Sequence, residues 1–262
     1  DFRNDIIFEN EDLEAYSFGI TFGADLTAPV SHNQSLCLNG ANIILNLAAF
    51  NQTSGKYDYY KNLVLADSAR LNCGYVLASA GIGESTTDTV FSGFSVIVEN
   101  GEVIAENKPF GDNDLIISEI DVKMLCSERR KNTGFNHKKD CFSIYFNQEI
   151  NKTELRRKIE KNPFLPQNVN KDEYLEEILQ IQSYGLAKRL SHTHAKKAVI
   201  GVSGGLDSTL ALLVTVRAIK LLNRPTTDIL TITMPCFGTT KRTRSNSEIL
   251  CNELGVEFKE IN

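Results

Sequence analysis

A chain of 262 residues with 42% apolar and 23% charged side chains has the composition of a globular protein with room for two compact domains. No apolar run approaches the roughly 20 residues that cross a bilayer, so no membrane partner is expected. The formal charge of −5 leaves no electrostatic footprint for duplex nucleic acid, although a nucleotide needs only a local site.

From residue 1 to about 125, short β-type runs alternate with one helical pattern. Phe18 to Phe22 is short and apolar, Ala41 to Leu47 (ANIILNL) reads as a buried strand, and Tyr59 to Leu71 repeats apolar residues at helical spacing. Tyr75 to Ala80 reads as a further strand. Phe94 to Val98 and Glu102 to Ala105 flank Asn100-Gly101, a strong hairpin signal because both residues accept a positive φ. The stretch 126–170 is polar and basic around Glu128 to Asp140 and proline-containing at Asn162 to Pro166, and it is expected to be a linker. Beyond it, Asn170 is placed to cap a helix, with Glu173 as reciprocal partner. Leu175, Ile178, Leu179, Gln182, Leu186 and Leu190 trace its expected stripe.

The most informative segment follows. Ala198 to Val202 (AVIGV) reads as a strand, Ser203-Gly204-Gly205-Leu206-Asp207-Ser208 as a loop, and Thr209 to Leu222 as a helix. Strand, glycine turn and helix N-terminus in that order gather backbone N–H groups and the positive end of the helix dipole at one point, where an anion belongs. Gly204 and Gly205 let the backbone approach a phosphate, and Ser203 and Ser208 add hydroxyls. Asp207 is a candidate for orienting the loop or contacting a metal. No lysine follows the glycines, so this is not a Walker A loop. Ile229 to Met234 and Gly255 to Ile261 read as two more strands, which implies a parallel, doubly wound sheet with ligands beyond the strand C-termini. Met234-Pro-Cys-Phe237-Gly238-Thr239-Thr240 occupies such an end and can line a nucleotide pocket.

The six cysteines (37, 73, 126, 141, 236 and 251) form no CxxC pair and no Cys/His cluster, and the chain opens without a signal-peptide pattern. They are read as reduced, mostly buried thiols of a cytoplasmic protein. Only Cys236, in the loop after Met234, has a reason to lie near chemistry.

The string SGGLDS resembles the signature of the PP-loop ATP pyrophosphatases. Together with MPCFGTT at 234–240, RTRSNS at 242–247 and NPFLP at 162–166, it resembles the glutamine-dependent NAD⁺ synthetases. LNGANIILNLAAFN at 38–51 and GESTTDTVFSGFSVIVENGEV at 83–103 are similar to that family's nitrilase-like glutaminase domain. The resemblance implies an α/β fold: a partial nitrilase-like α-β-β-α sandwich over 1–125, then the first half of a doubly wound PP-loop domain over 171–262. It implies adenylation of deamido-NAD by ATP with Mg²⁺, followed by displacement of AMP by ammonia. Ser203, Gly205 and Ser208 are then assigned to phosphate, Asp207 to the loop or magnesium, and Met234, Phe237 and Thr239 to ATP or substrate. Homo-oligomers are expected by the same analogy, and the chain is expected to be truncated at both ends and inactive by itself.

The glutaminase half departs from the family pattern, which uses a Glu-Lys-Cys triad to attack glutamine. Where the family has a string like G-x-E-I-C-E-D-L-W, this chain has Gly19-Ile-Thr-Phe-Gly-Ala-Asp-Leu-Thr27, so Gly23 stands at the expected nucleophile position. Asp25 and Leu26 keep the register. Phe50 stands where the family's NLSASN-like string has a small polar residue, and a phenylalanine there is expected to fill the glutamine pocket. The accompanying changes at Thr21, Ala24 and Thr27 point to natural divergence rather than a single engineered change. Two other readings remain open at this stage: another PP-loop enzyme, of the GMP synthetase or tRNA-modifying kind, and a non-catalytic assembly or regulatory module.

Overall fold

The computed structural model describes residues 3–261 except 85–87, 113–114, 150, 153, 158, 160, 163, 166–169 and 235–240, with the side chains of 241–245 also left out. The chain divides into two compact units, Asp1–Ile159 and Glu160–Asn262.

The first unit is built on a seven-stranded mixed sheet. Its strands are β1 (Ile6–Asn10), β2 (Ser17–Phe22), β3 (Ile43–Ala48), β4 (Gly74–Ser79), β5 (Ser95–Glu99), β6 (Glu102–Asn107) and β7 (Phe142–Phe146), in the order β6-β5-β4-β3-β2-β1-β7. β2, β3 and β4 run parallel, and β4, β5 and β6 form an antiparallel meander. The β5–β6 turn forms at Asn100-Gly101 with φ of 48° and 87°, the conformation that dipeptide favours. Helices α1 (Gly23–Thr27), α2 (His32–Leu38) and α3 (Lys56–Leu71) pack on the sheet, and Ile7, Leu36, Ile44, Val64, Tyr75, Leu77 and Val96 form the core between them. These strand residues alternate in sequence, as one face of a pleated sheet requires.

The stretch expected to be a linker is structured. It holds most of helix α4 (Val122–Lys131) and strand β7, which pairs in parallel with β1 from Ile6↔Phe142 to Asn10↔Phe146. Arg129, only 4% exposed, ties α4 down: its guanidinium donates to the carbonyls of Ala41, Leu71 and Asn72 and to Asn42 Oδ1. The basic run therefore contains a buried side chain whose charge is solvated by fixed carbonyl dipoles instead of water.

The second unit begins with helix α5 (Lys171–His192), capped by the Asn170 side chain, which accepts the amide of Asp172 at 3.2 Å. Its inward face is Ser183, Ala187 and Leu190, while Leu175 is more than half exposed, so the expected stripe is rotated. Strands β8 (Ala198–Gly201), β9 (Ile229–Thr233) and β10 (Glu257–Glu260) form a parallel sheet in the order β10-β9-β8. Helices α6 (Leu206–Leu221) and α7 (Lys241–Leu254) make the crossovers. Leu190, Val202, Leu212, Val216, Ile219, Ile229, Cys251 and Val256 form a separate core. The fold is mixed α/β, and strand order with helical crossovers is that of a doubly wound sheet. Of the six cysteines the five described ones are free, with Cys37, Cys73 and Cys251 buried; Cys236 lies outside the described residues.

Candidate functional site

The chain leaves the C-terminal end of β8 at Val202, whose amide donates to the Ile232 carbonyl at 2.8 Å and keeps the turn registered on the neighbouring strand. Gly204 has φ of 81°, a conformation that a side chain makes costly, and Gly205 is the N-cap of α6 without any side-chain cap. The helix begins at Leu206, three residues earlier than the apolar pattern indicates, so Leu206, Asp207 and Ser208 form its first turn. Among the described residues the amides of Gly204, Leu206, Asp207 and Ser208 have no acceptor. These are the orphan donors of a helix start, gathered where the α6 dipole is positive.

The two serine hydroxyls hold the loop closed on itself. Ser208 Oγ accepts the Ser203 amide at 3.3 Å, lies 3.2 Å from Ser203 Oγ and donates to the Gly205 carbonyl at 3.1 Å. The Gly205 amide reaches Ser203 Oγ at 3.4 Å. Bonds of this length are weak and readily exchanged for shorter, charge-assisted ones. Ser203, Gly205, Leu206 and Asp207 are exposed, so an incoming anion meets them directly.

Of the second loop, Met234 is 67% exposed just beyond the C-terminal end of β9. Phe237, Gly238, Thr239 and Thr240 lie outside the described residues, as does part of Asn162 to Pro166. No group of three or more His, Cys, Asp or Glu side chains converges as a metal site among the described residues, and no described helix is long and apolar enough to cross a membrane.

The first unit has its own strand-to-helix turn. β2 ends at Phe22 and Gly23 opens α1, and the carboxylate of Asp25 folds back to accept the Phe22 amide at 2.9 Å. A donor at this helix start is thus already used internally. A Cβ placed on Gly23 would lie 3.1 Å from Phe50 Cε1 and 3.4 Å from both Phe50 Cζ and Ala48 Cβ. Phe50 is stacked on Tyr60 with centroids 3.8 Å apart, and both rings lie nearly parallel to buried Phe94. Behind the strand ends, Asn46 Nδ2 donates to Thr21 Oγ1, and Asn33 Nδ2 donates to Asp67 and to Tyr75 Oη, all at 3.0–3.1 Å. Burial pushes the Tyr75 phenol well above its ordinary range, which keeps that phenol neutral beside Asp67, itself paired with Arg70 at 2.8 Å. The roles of Tyr60, Phe94 and Asp25 are absent from the sequence reading. The aromatic run Tyr57, Tyr59, Tyr60 is visible there, but which ring meets Phe50 depends on the fold.

A depression of about 550 Å³ elsewhere in the second unit is lined by Leu190, His194, Lys196, Leu222, Arg224 and Asp228 among others. Arg224 is committed there to structure, bonding Asp228 and the carbonyls of Ala195 and Lys196.

Comparison with known proteins gives consistent matches. Residues 178–262 match the NAD synthase family. The glutamine-dependent NAD(+) synthetase of Mycobacterium leprae is 37% identical over an alignment covering 99% of this chain and 40% of that protein. The Mycobacterium tuberculosis H37Rv protein of the same description is 34% identical over the same shares. Among solved structures, the glutamine-dependent NAD+ synthetase of Acinetobacter baumannii in complex with ADP aligns with 97% of this chain and 39% of its own, at 18% identity and a TM-score of 0.39. The chain spans about 40% of the length of these curated relatives.

Proposed function

We propose that this chain is part of a glutamine-dependent NAD(+) synthetase and carries the phosphate cradle of an ATP-dependent ligase that makes NAD⁺ from deamido-NAD and ammonia, a reading supported by its 37% identity to the Mycobacterium leprae protein and the NAD synthase match over 178–262. The observation that carries the proposal is the cluster of amides at Gly204, Leu206, Asp207 and Ser208 on the N-terminus of α6, which have no acceptor among the described residues.

The chemistry follows from charge. The nicotinate carboxylate of deamido-NAD is unreactive toward ammonia until it is joined to AMP, and that step expels pyrophosphate with growing negative charge. Amides fixed in advance around the departing phosphates stabilise that charge without reorganising, and removing one such donor from an anion site costs roughly 2.7–4 kcal/mol of transition-state stabilisation. Gly204 and Gly205 keep Cβ atoms out of the approach, and the hydroxyls of Ser203 and Ser208 give up their long mutual bonds to bond phosphate oxygens. Asp207, exposed in the first turn of α6, offers a carboxylate to Mg²⁺. A magnesium ion usually takes only one or two protein carboxylates beside substrate phosphates, so a single carboxylate from this turn is enough for the role. When bound, the ion neutralises charge on the phosphates. Met234, Phe237, Gly238, Thr239 and Thr240 are assigned to the nucleotide or substrate pocket at the next strand end.

The first unit is proposed to have lost glutamine hydrolysis, since Gly23 has no side chain to attack an amide and Phe50 stands in the adjoining space. Ammonia then reaches the synthetase from another source. The test is ATP/pyrophosphate exchange by the natural polypeptide that carries this sequence. Exchange dependent on deamido-NAD is expected, and exchange driven by a different acid overturns the substrate assignment. Ammonia release from glutamine would overturn the loss of glutaminase activity.

A further inference from the structure

The identity of Gly23 in the first unit is not explained by its backbone. Gly23 is absent from the positive-φ glycines, which include Gly40, Gly55, Gly93 and Gly101, and it opens a helix turn that any L-residue can adopt. What the position lacks is room. A Cβ there meets the edge of the Phe50 ring at 3.1 Å and the Ala48 methyl at 3.4 Å, before any sulfur is added. The half-buried ring is held by its neighbours: Tyr60 is stacked 3.8 Å away at an interplanar angle of 8°, Phe94, 1% exposed, flanks both rings at 6.2–6.4 Å, and Tyr57 abuts Phe94 edge-on at 5.5 Å, so a shift of Phe50 disturbs the whole stack. Interiors packed this closely transmit a clash instead of absorbing it.

We infer that positions 23 and 50 are a coupled pair, in which the Phe50 ring has taken the volume of a side chain at 23 and closes this strand end to any amide substrate. The inference rests on the reading of position 23 as the family's nucleophile position. Its consequence is that the loss is locked: restoring cysteine alone creates a crowded, shielded thiol, and access returns only when the ring is cut back as well. Phe50 is thereby a specificity-determining residue, excluding glutamine independently of the missing sulfur.

The test compares Gly23→Cys, Phe50→Ala and the double variant in the chain as it stands, with iodoacetamide as probe. Peptide mass mapping at position 23 keeps the half-buried Cys126 and Cys141 out of the readout. Alkylation at position 23 is expected roughly tenfold faster in the double variant than in Gly23→Cys alone. Gly23→Cys is expected to lower the melting temperature by about 3 °C with Phe50 present and by much less with Phe50→Ala. Equal alkylation rates in the two backgrounds, or the same melting penalty in both, overturn the coupling. Phe50→Leu, which keeps more of the packing, serves in the same two measurements if Phe50→Ala does not fold. Glutamine hydrolysis by the unsubstituted chain would instead overturn the nucleophile reading and leave the packing measurements standing.

Discussion

Two strand ends in this molecule start from the same plan and finish opposite. In each unit a strand of a sheet runs to its C-terminal end, turns at a glycine and enters a helix: β2 to Gly23 to α1, and β8 to Gly204-Gly205 to α6. At the first, the helix is 5 residues long, its own Asp25 carboxylate takes the Phe22 amide, and an aromatic ring fills the space above the glycine. At the second, the helix is 16 residues long, no side chain caps it, and the leading amides have no acceptor among the described residues. Shared topology therefore does not make a site. The donors must be left without an internal acceptor, and the approach must be left without a side chain.

The comparison is broken most severely by removing the ring. Phe50→Ala is expected to destabilise the first unit by about 2–4 kcal/mol, read as the midpoint shift of chemical denaturation, because the stack on Tyr60 and Phe94 loses its outer member. Next comes Gly204→Val. A β-branched residue at φ of 81° strains the loop, and Mg·ATP affinity measured by titration calorimetry should fall roughly 10- to 100-fold. An unchanged affinity would mean that the loop does not hold the phosphates. Ser208→Ala removes the hydroxyl that pins the Ser203 amide and the Gly205 carbonyl, and a loss of about 1 kcal/mol in ATP binding is expected by the same titration.

How much of this contrast the sequence carried differs between the units. In the second, β8, the loop, α6 and β9 follow from local pattern, since AVIGV, two glycines and an apolar helix specify a strand-turn-helix without distant partners. Even there the start of α6 lies earlier than expected, because Leu206 and Asp207 are exposed first-turn residues and contribute nothing to apolar periodicity. In the first, β3, α3, β4 and the Asn100-Gly101 hairpin were legible for the same local reasons. Strand β7 was not: FSIYF gains its place by pairing with β1, more than 130 residues earlier, and its flanks are basic and polar. Nor does Arg129 announce burial, since it sits in a run of charges and is satisfied only by carbonyls that the fold brings to it. Gly23 and Phe50 were each visible as departures, while the contact between them and the stack behind Phe50 required coordinates.

Smaller effects sharpen the same contrast. Asp25→Ala frees the Phe22 amide at the closed strand end, and a loss of about 0.5–1 kcal/mol is expected in thermal unfolding. The smallest is electrostatic. Hydrogen bonds from Lys61 and then Tyr57 hold the Glu106 carboxyl below its usual range. A depressed folded-state value means that the stabilisation is present above the ordinary carboxylate range and is lost as pH falls through the lowered value. Glu106→Gln should therefore flatten the acid limb of the stability profile between about pH 4.5 and lower pH, and leave neutral-to-basic behaviour little changed.

The open strand end is tested most directly by its amide protons. In a ¹⁵N–¹H spectrum titrated with Mg·ATP, the amide resonances of Gly204, Leu206, Asp207 and Ser208 should move as a group, the shift saturating with one bound nucleotide. If those four stay in place while nucleotide saturates the protein, the phosphates are held elsewhere and the assignment of this loop is wrong.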